Sequence, residues 1–272
     1  MGFTLGNGTT TLMGHSIRPC NLNSFTHGGN TVSNLLNVAN AKTIKGEALG
    51  YRTHILYLSS ADQSGHEVCN DRSDACTKFC LDKAGRGRMQ SVIDGRMRKT
   101  RLYFNAPSMF KALLNKEIHR AIANKSKRYL DLCFRLDGTS DLGLGIGFAK
   151  RHPTAQFYDY TKSRKRLEMY AAGNLPNNYH LTFSWSGENR DTCRWALENR
   201  VNVAVPFVGD WEGEAYPAHF MGFPTIPGDT HDLRFKDPTP RVVALKAKGY
   251  LSDDHSGFAV RPVEMTNYEI YA

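Results

Sequence analysis

The chain has 272 residues, 40% hydrophobic and 22% charged, with a formal net charge of +9. That length supports one large domain, or one domain with a small extension. No apolar run approaches the ~20 residues needed to cross a bilayer, so no membrane partner is expected. The basic excess points to polyanionic partners.

The start, MGFTLGNGTTTLMGHS, lacks the charged region and apolar stretch of a secretory signal. Six cysteines without an export signal read as reduced thiols in a cytoplasmic setting, not as a disulfide framework. Residues 1–50, rich in Gly, Asn and Thr, read as an irregular N-terminal arm. A short apolar run, His54–Ser60, reads as the first strand and ends at a polar, Gly-rich loop.

That loop carries Cys69, Cys76 and Cys80 within twelve residues. Thiolates are soft ligands for zinc, copper(I) or iron–sulfur clusters. A closed zinc site needs four ligands, whereas a four-iron cluster on three cysteines keeps one iron open. The lack of a fourth nearby cysteine favours the cluster. His66, three residues before Cys69, keeps a Cys3His zinc site as the alternative. Cys133 alternates within a strand and Cys193 shares an apolar helix stripe with Ala196 and Leu197, so both read as core, and Cys20 falls in the arm.

Residues 83–128 are strongly basic and read as a helical insertion. Arg96, Arg98, Lys99 and Arg101 are the candidate phosphate contacts for a nucleic-acid partner. Within this segment, Asn105 and Pro107 suit the start of a helix. Phe110, Leu113, Leu114, Glu117, Ile118, Ala121 and Ile122 then mark one helical face.

From Tyr129 onward a strand–helix rhythm repeats. Tyr129–Leu136, Ala155–Thr161, Tyr179–Trp185 and Val201–Phe207 read as strands, and Arg241–Ala247 as a further one. Ser163–Ala172 and Asn189–Asn199 read as the helices between them, while Gly143, Gly145 and Gly147 make the Asp141–Arg151 connection irregular. The expected fold is α/β, a partial (β/α) barrel of about six parallel strands over residues 51–250, with a tail from 251 to 272. No dinucleotide, P-loop, zinc-protease or serine-hydrolase motif is present.

In such folds chemistry gathers at the carboxyl ends of the strands. Those positions hold Asp137, Ser140 and Asp141, then Tyr160 and Lys162, then Ser184, and finally Asp232 and Arg234. These eight are the candidate site residues beside the three cysteines.

The segments CNDRSDACTKFC, RLDGTSD, HPTAQFYDYTKS and YHLTFSWSG, in this order, resemble the phage and plasmid family called gene product eighty-eight. The resemblance covers roughly residues 40–207. Its layout is similar to that of radical S-adenosylmethionine enzymes, in which three cysteines after the first barrel strand hold a four-iron cluster. The spacing here, Cys-x6-Cys-x3-Cys, differs from their Cys-x3-Cys-x2-Cys. The likeness implies a 4Fe-4S cluster with S-adenosylmethionine in an enzyme acting on a polar, nucleic-acid-linked substrate. Asp137, Ser140 and Asp141 would bind cofactor or substrate, and Tyr160, Lys162 and Ser184 would contact substrate. Asp232 and Arg234 would close the far side. The other expectation, from a different class, is a zinc-stapled nucleic-acid-binding phage protein without catalysis.

Overall fold

The structure, a computed structural model, describes residues 25–27, 30–32, 34–38, 41–83, 85–124, 130–209, 217–247 and 249–261. Cys20 lies outside the described residues. In chain order, β1 (Phe25–His27) and β2 (Asn30–Val32) form a separate antiparallel hairpin. Then come β3 (Leu36–Asn37), α1 (Ala41–Glu47) and β4 (Tyr51–Leu56). Three helices follow: α2 (Asp74–Lys78), α3 (Gln90–Asn105) and α4 (Pro107–Ala123). The alternating part runs β5 (Asp131–Arg135), α5 (Leu144–Arg151), β6 (Gln156–Thr161), α6 (Arg164–Ala171), β7 (Tyr179–Ser184), α7 (Arg190–Glu198) and β8 (Val203–Phe207). It closes with β9 (His219–Phe220), β10 (Phe223–Pro227) and β11 (Val242–Lys246).

Nine strands form one sheet in the order β3-β4-β5-β6-β7-β8-β11-β10-β9. From β4 through β10 every neighbouring pair is parallel, while β3 and β9 are antiparallel at the edges. The fold is therefore α/β with a mostly parallel sheet. Among the described residues the two edge strands do not pair with each other, so the sheet stays open. Seven strands run parallel where about six were expected. The extra one is β10, whose sequence FPTIP carries Pro224 and Pro227 and reads poorly as a strand.

Side chains alternate across each strand. On β5, Leu132 and Phe134 enter a core with α3, α4 and α5, whereas Cys133 joins Tyr158 and Leu233 on the opposite face. A second core on the helix side joins Phe183, Val203 and Val205 to Cys193, Ala196 and Leu197 of α7. Cys133 and Cys193 are thus buried core thiols, as strand alternation for the first and the apolar helix stripe for the second indicate. The other face of the sheet is covered by the crossover from β10 to β11, which contains Asp232 and Arg234 and a 3-10 turn at Arg234–Lys236.

Three local expectations change. Part of the supposed irregular arm is ordered, since α1 lies against β4 and Gly46 sits close to Leu233. The connection after Asp141 contains a helix, α5, despite its glycines. Gly143 adopts φ +71 at its start, and a Cβ on Gly145 would lie 2.4 Å from Asp159 Oδ2. Those glycines admit close neighbours; they do not break the helix. Finally, α3 runs through Asn105 and α4 starts after Ala106, so Asn105 does not cap α4. Glu117 on the apolar face of α4 has a clear partner: its carboxylate accepts from Leu35 N at 2.7 Å and Leu36 N at 2.9 Å. It thereby terminates the edge strand β3.

Candidate active site

A cavity of about 230 Å³ opens at the carboxyl ends of the parallel strands. Cys69, Cys76 and Cys80 line it, as do Asp137, Ser140, Asp141, Tyr160, Lys162, Ser184 and Asp232. Arg234 does not line it; it is fully buried behind Asp232.

The cysteine loop is fixed by its own polar residues. Ser73 caps α2 by accepting from Cys76 N at 3.1 Å and donates to Ser186 O at 3.0 Å, tying the helix to the loop after β7. Arg72 pairs with Glu67 at 2.9 Å and donates to Thr77 Oγ1 at 2.6 Å. Glu67 also accepts from Cys69 N at 2.7 Å, and the Cys69 thiol points to Thr139 O at 3.8 Å.

Burial pushes the Cys69 thiol up to about 12, helped by the fields of Asp141 and the other two cysteines. Burial and nearby Asp82 push Cys80 up to about 11. A metal bound here must therefore displace thiol protons.

A tetrahedral zinc thiolate needs sulfurs about 3.8 Å apart, given Zn–S distances near 2.3 Å. Among the described residues, no three Cys, His, Asp or Glu side chains converge closely enough to hold one metal ion. His66 is stacked on the Phe104 ring at 4.2 Å. The three thiols nevertheless line one cavity.

The strand-end carboxylates are largely engaged by their own chain. Asp137 accepts from Ser140 Oγ at 2.7 Å and from the backbone N–H groups of Leu142, Gly143 and Leu144 at 2.8–3.1 Å. Gly138 is required beside it, because a Cβ there would lie 2.6 Å from Leu56 O. Asp141 accepts from Thr161 Oγ1 at 2.8 Å, Lys162 N at 2.9 Å and the Arg166 guanidinium. Even so, burial outweighs Arg166 and raises its carboxyl above the usual range. Asp159, beneath the rim, accepts from Asp137 N at 2.8 Å. Burial and the Asp137 charge raise it well above an ordinary carboxyl.

The floor is a second charged group. Asp232 accepts from Arg135 Nη1 at 3.1 Å, Tyr158 OH at 3.1 Å and Tyr160 OH at 3.3 Å. The Arg135 guanidinium also lies 4.5 Å from the centre of the Tyr160 ring. Arg234 pairs with Asp237 at 3.2 Å and donates to His231 O. Among the described residues, by contrast, Lys162 Nζ makes no hydrogen bond or ion pair, and it lies 5.9 Å from the centre of the Phe258 ring.

Sequence reading missed Phe79 and Phe258, which also line the cavity. Neither sits at a strand end, and no local pattern links them.

The basic quartet divides in two on α3. Lys99 donates to Leu35 O at 2.7 Å and Asn37 Oδ1 at 3.2 Å, and burial lowers its ammonium to about 8. The Arg96 guanidinium lies 5.3 Å from the Tyr57 ring centre, with Nε and Nη1 buried. Those two face the body of the protein, leaving half-buried Arg98 and exposed Arg101 as the outward pair.

No helix among the described residues is long and apolar enough to cross a membrane. No curated protein and no solved structure matches the chain. One family does match, over residues 34–262, a span extending beyond both ends of the four sequence segments. The match carries no likeness to radical S-adenosylmethionine enzymes. On that coverage, the chain belongs to the gene product 88 family.

Proposed function

We propose that this cavity is the active site of an iron–sulfur enzyme, with Cys69, Cys76 and Cys80 as the cluster ligands. One observation carries the reading: three thiols and the polar strand-end residues line a single cavity at the carboxyl ends of parallel strands. When bound, a four-iron cluster on three cysteines supplies one-electron chemistry and an open iron for amino and carboxylate groups, such as those of S-adenosylmethionine.

The chain's own residues then have distinct parts. Asp137, Ser140 and Asp141 hold the rim loops in place and so position Thr139 and Lys162 against the ligand. Lys162, Tyr160 and Ser184 contact a polar substrate. Asp232, with Arg135 and Arg234 behind it, keeps charge at the floor balanced. A reducing cytoplasm, that of the host for a phage protein, is the setting such a cluster requires.

Anaerobic purification followed by iron, sulfide and zinc analysis and a visible spectrum tests the reading. Brown protein with iron and sulfide, both lost in Cys69→Ser, Cys76→Ser and Cys80→Ser, is expected. Colourless protein with stoichiometric zinc would replace the cluster with the zinc alternative, and metal-free protein would remove both. The other reading, a metal-stapled nucleic-acid-binding protein, keeps Arg98 and Arg101 as its phosphate contacts.

A further inference from the structure

The cavity is polar at one end and apolar at the other, and the strand order explains the division. Strands β5, β6, β7, β8 and β11 lie side by side across it. Phe183, Val203, Val205 and Ala244 turn to the helix-side core, so their immediate neighbours on each strand turn toward the cavity. At the ends of β5 to β7 those lining residues are Arg135, Tyr160, Lys162 and Ser184. On β8 and β11 they are Ala204, Pro206 and Leu245.

The polar end has more donors than acceptors. Asp137 is engaged by Ser140 and three backbone N–H groups, and Asp141 by Thr161, Lys162 N and Arg166. Asp232 is engaged by Arg135, Tyr158 and Tyr160. Among the described residues, neither the half-buried Lys162 ammonium nor the half-buried Ser184 hydroxyl makes a hydrogen bond. Arg135 Nε is buried without an acceptor as well. Donors left over in a shielded site are complementary to a ligand that brings acceptors.

Two of those donors are neighbours. The β6–β7 register pairs Thr161 with Phe183, so one step further brings Lys162 alongside Ser184. Adjacent strands lie about 4.8 Å apart, close enough for both groups to donate to one carboxylate.

We infer that the cavity binds a carboxylic acid with an apolar body, its carboxylate between Lys162 and Ser184 and its body over Ala204, Pro206 and Leu245. The inference rests on reading this cavity as the active site, and it names the substrate class. From Ser184 to Leu245 is two strand spacings, about 10 Å, comparable to the length of octanoate or 3-phenylpropionate. Lys162 offers one ammonium, which a monoanion neutralises. Lys246, the other lining lysine, is exposed, and water keeps its charge.

Calorimetric titration of the anaerobically purified full chain is the test. The probes are octanoate and 3-phenylpropionate, their primary amides, acetate, octylamine and phenyl phosphate. Each long acid should bind about tenfold or more tightly than its amide, which keeps the shape and loses the charge. Acetate, lacking the body, should bind about tenfold or more weakly than either long acid. Lys162→Met, similar in length but uncharged, should remove the acid–amide difference without lowering Tm. Ser184→Ala should weaken both long acids by about fivefold.

Amides that bind as tightly as the acids, tighter binding of octylamine, or no binding of either long acid overturns the inference. None of those comparisons needs a variant. An acid–amide difference that survives Lys162→Met overturns the seat of the carboxylate. Phenyl phosphate bound more tightly than 3-phenylpropionate overturns the monoanion assignment. Iron measured on the same samples separates the two readings. Acid binding without iron keeps the carboxylate seat and removes the cluster; iron without acid binding removes the seat alone.

Discussion

The two faces of the sheet solve the problem of burial differently. On the helix side, Leu132, Phe134, Phe157, Leu181 and Phe183 are buried among apolar side chains of α3 to α7. On the other side, Tyr158, Asp232 and Arg234 are buried, and Arg135 and Tyr160 half-buried, as a charged and hydroxylated group. Among the described residues, that side also leaves Arg135 Nε, His180 Nε2, Thr182 Oγ1 and Arg234 Nε buried without a hydrogen-bond partner. Orphaned buried polar atoms are uncommon, and they mark places where ordered water or ligand completes the structure. The helix side holds the fold together; the other side maintains a polar interior at a cost in stability.

The comparison can be broken first where it predicts the largest loss. Phe134→Ala removes a fully buried ring from the helix-side core and should cost about 3–5 kcal/mol in denaturant unfolding. A loss below about 1 kcal/mol would mean that this face is not the stabilising one.

Next comes Asp137→Ala. It strips acceptors from three backbone N–H groups at the start of α5 and should cost about 3 kcal/mol. If Tm holds while ligand binding vanishes, Asp137 is a ligand contact and its anchoring part is minor.

The third effect depends on pH. Burial and the Arg52 charge hold His54 down to about 4 from an ordinary imidazole value of 6.5. Between those values the unfolded chain binds more protons. The stability from neutral His54 is thus fully present above pH 6.5 and lost as pH falls toward 4. Relative to the wild type, His54→Phe should gain on the order of 1–2 kcal/mol between pH 7.5 and pH 4.5, allowing for partial screening. Parallel pH curves for the two proteins would show that the ring stays solvated.

A smaller change sharpens the contrast from the polar side. Thr182→Val removes an unpartnered, fully buried hydroxyl and should stabilise by about 1 kcal/mol. Destabilisation would instead locate a bound water there.

Smallest in stability is Arg98→Gln with Arg101→Gln, expected within about 0.5 kcal/mol of wild type. Any nucleic-acid affinity should lose about two units of salt slope on duplex DNA. An unchanged slope removes this outward pair as the phosphate contact.

The strands of the alternating region were legible because each is a run of strand formers between turn residues, as in YHLTFSW and VNVAVPF. Their parallel order followed from helix-length spacing. By contrast, β10 was hidden by its prolines and α5 by its glycines, since local propensity cannot show that a neighbour needs the space. At the site, strand-end position was sufficient to gather Asp137, Asp141, Lys162 and Asp232 around one cavity. It could not show that Asp137 and Asp141 are satisfied by backbone donors, because that depends on loop geometry. Nor could it pair Phe79 with Phe258, brought together only when the C-terminal segment packs beside Trp185. Charge density marked residues 96–101, but helical rotation decided which cations face outward.

The crossover between β10 and β11 carries a consequence for synthesis. Asp232 meets Arg135 across 97 positions of sequence and Tyr158 across 74. At translation rates of about 5–20 residues per second, Arg135 precedes its carboxylate by roughly 5–20 seconds. Throughout that interval the cysteine loop and the first parallel strands already exist while the cavity has no floor. Contacts this distant in sequence form late and slowly. The thiols are therefore present well before the compartment that encloses them, and the order of events on the ribosome favours filling the site from an open rim.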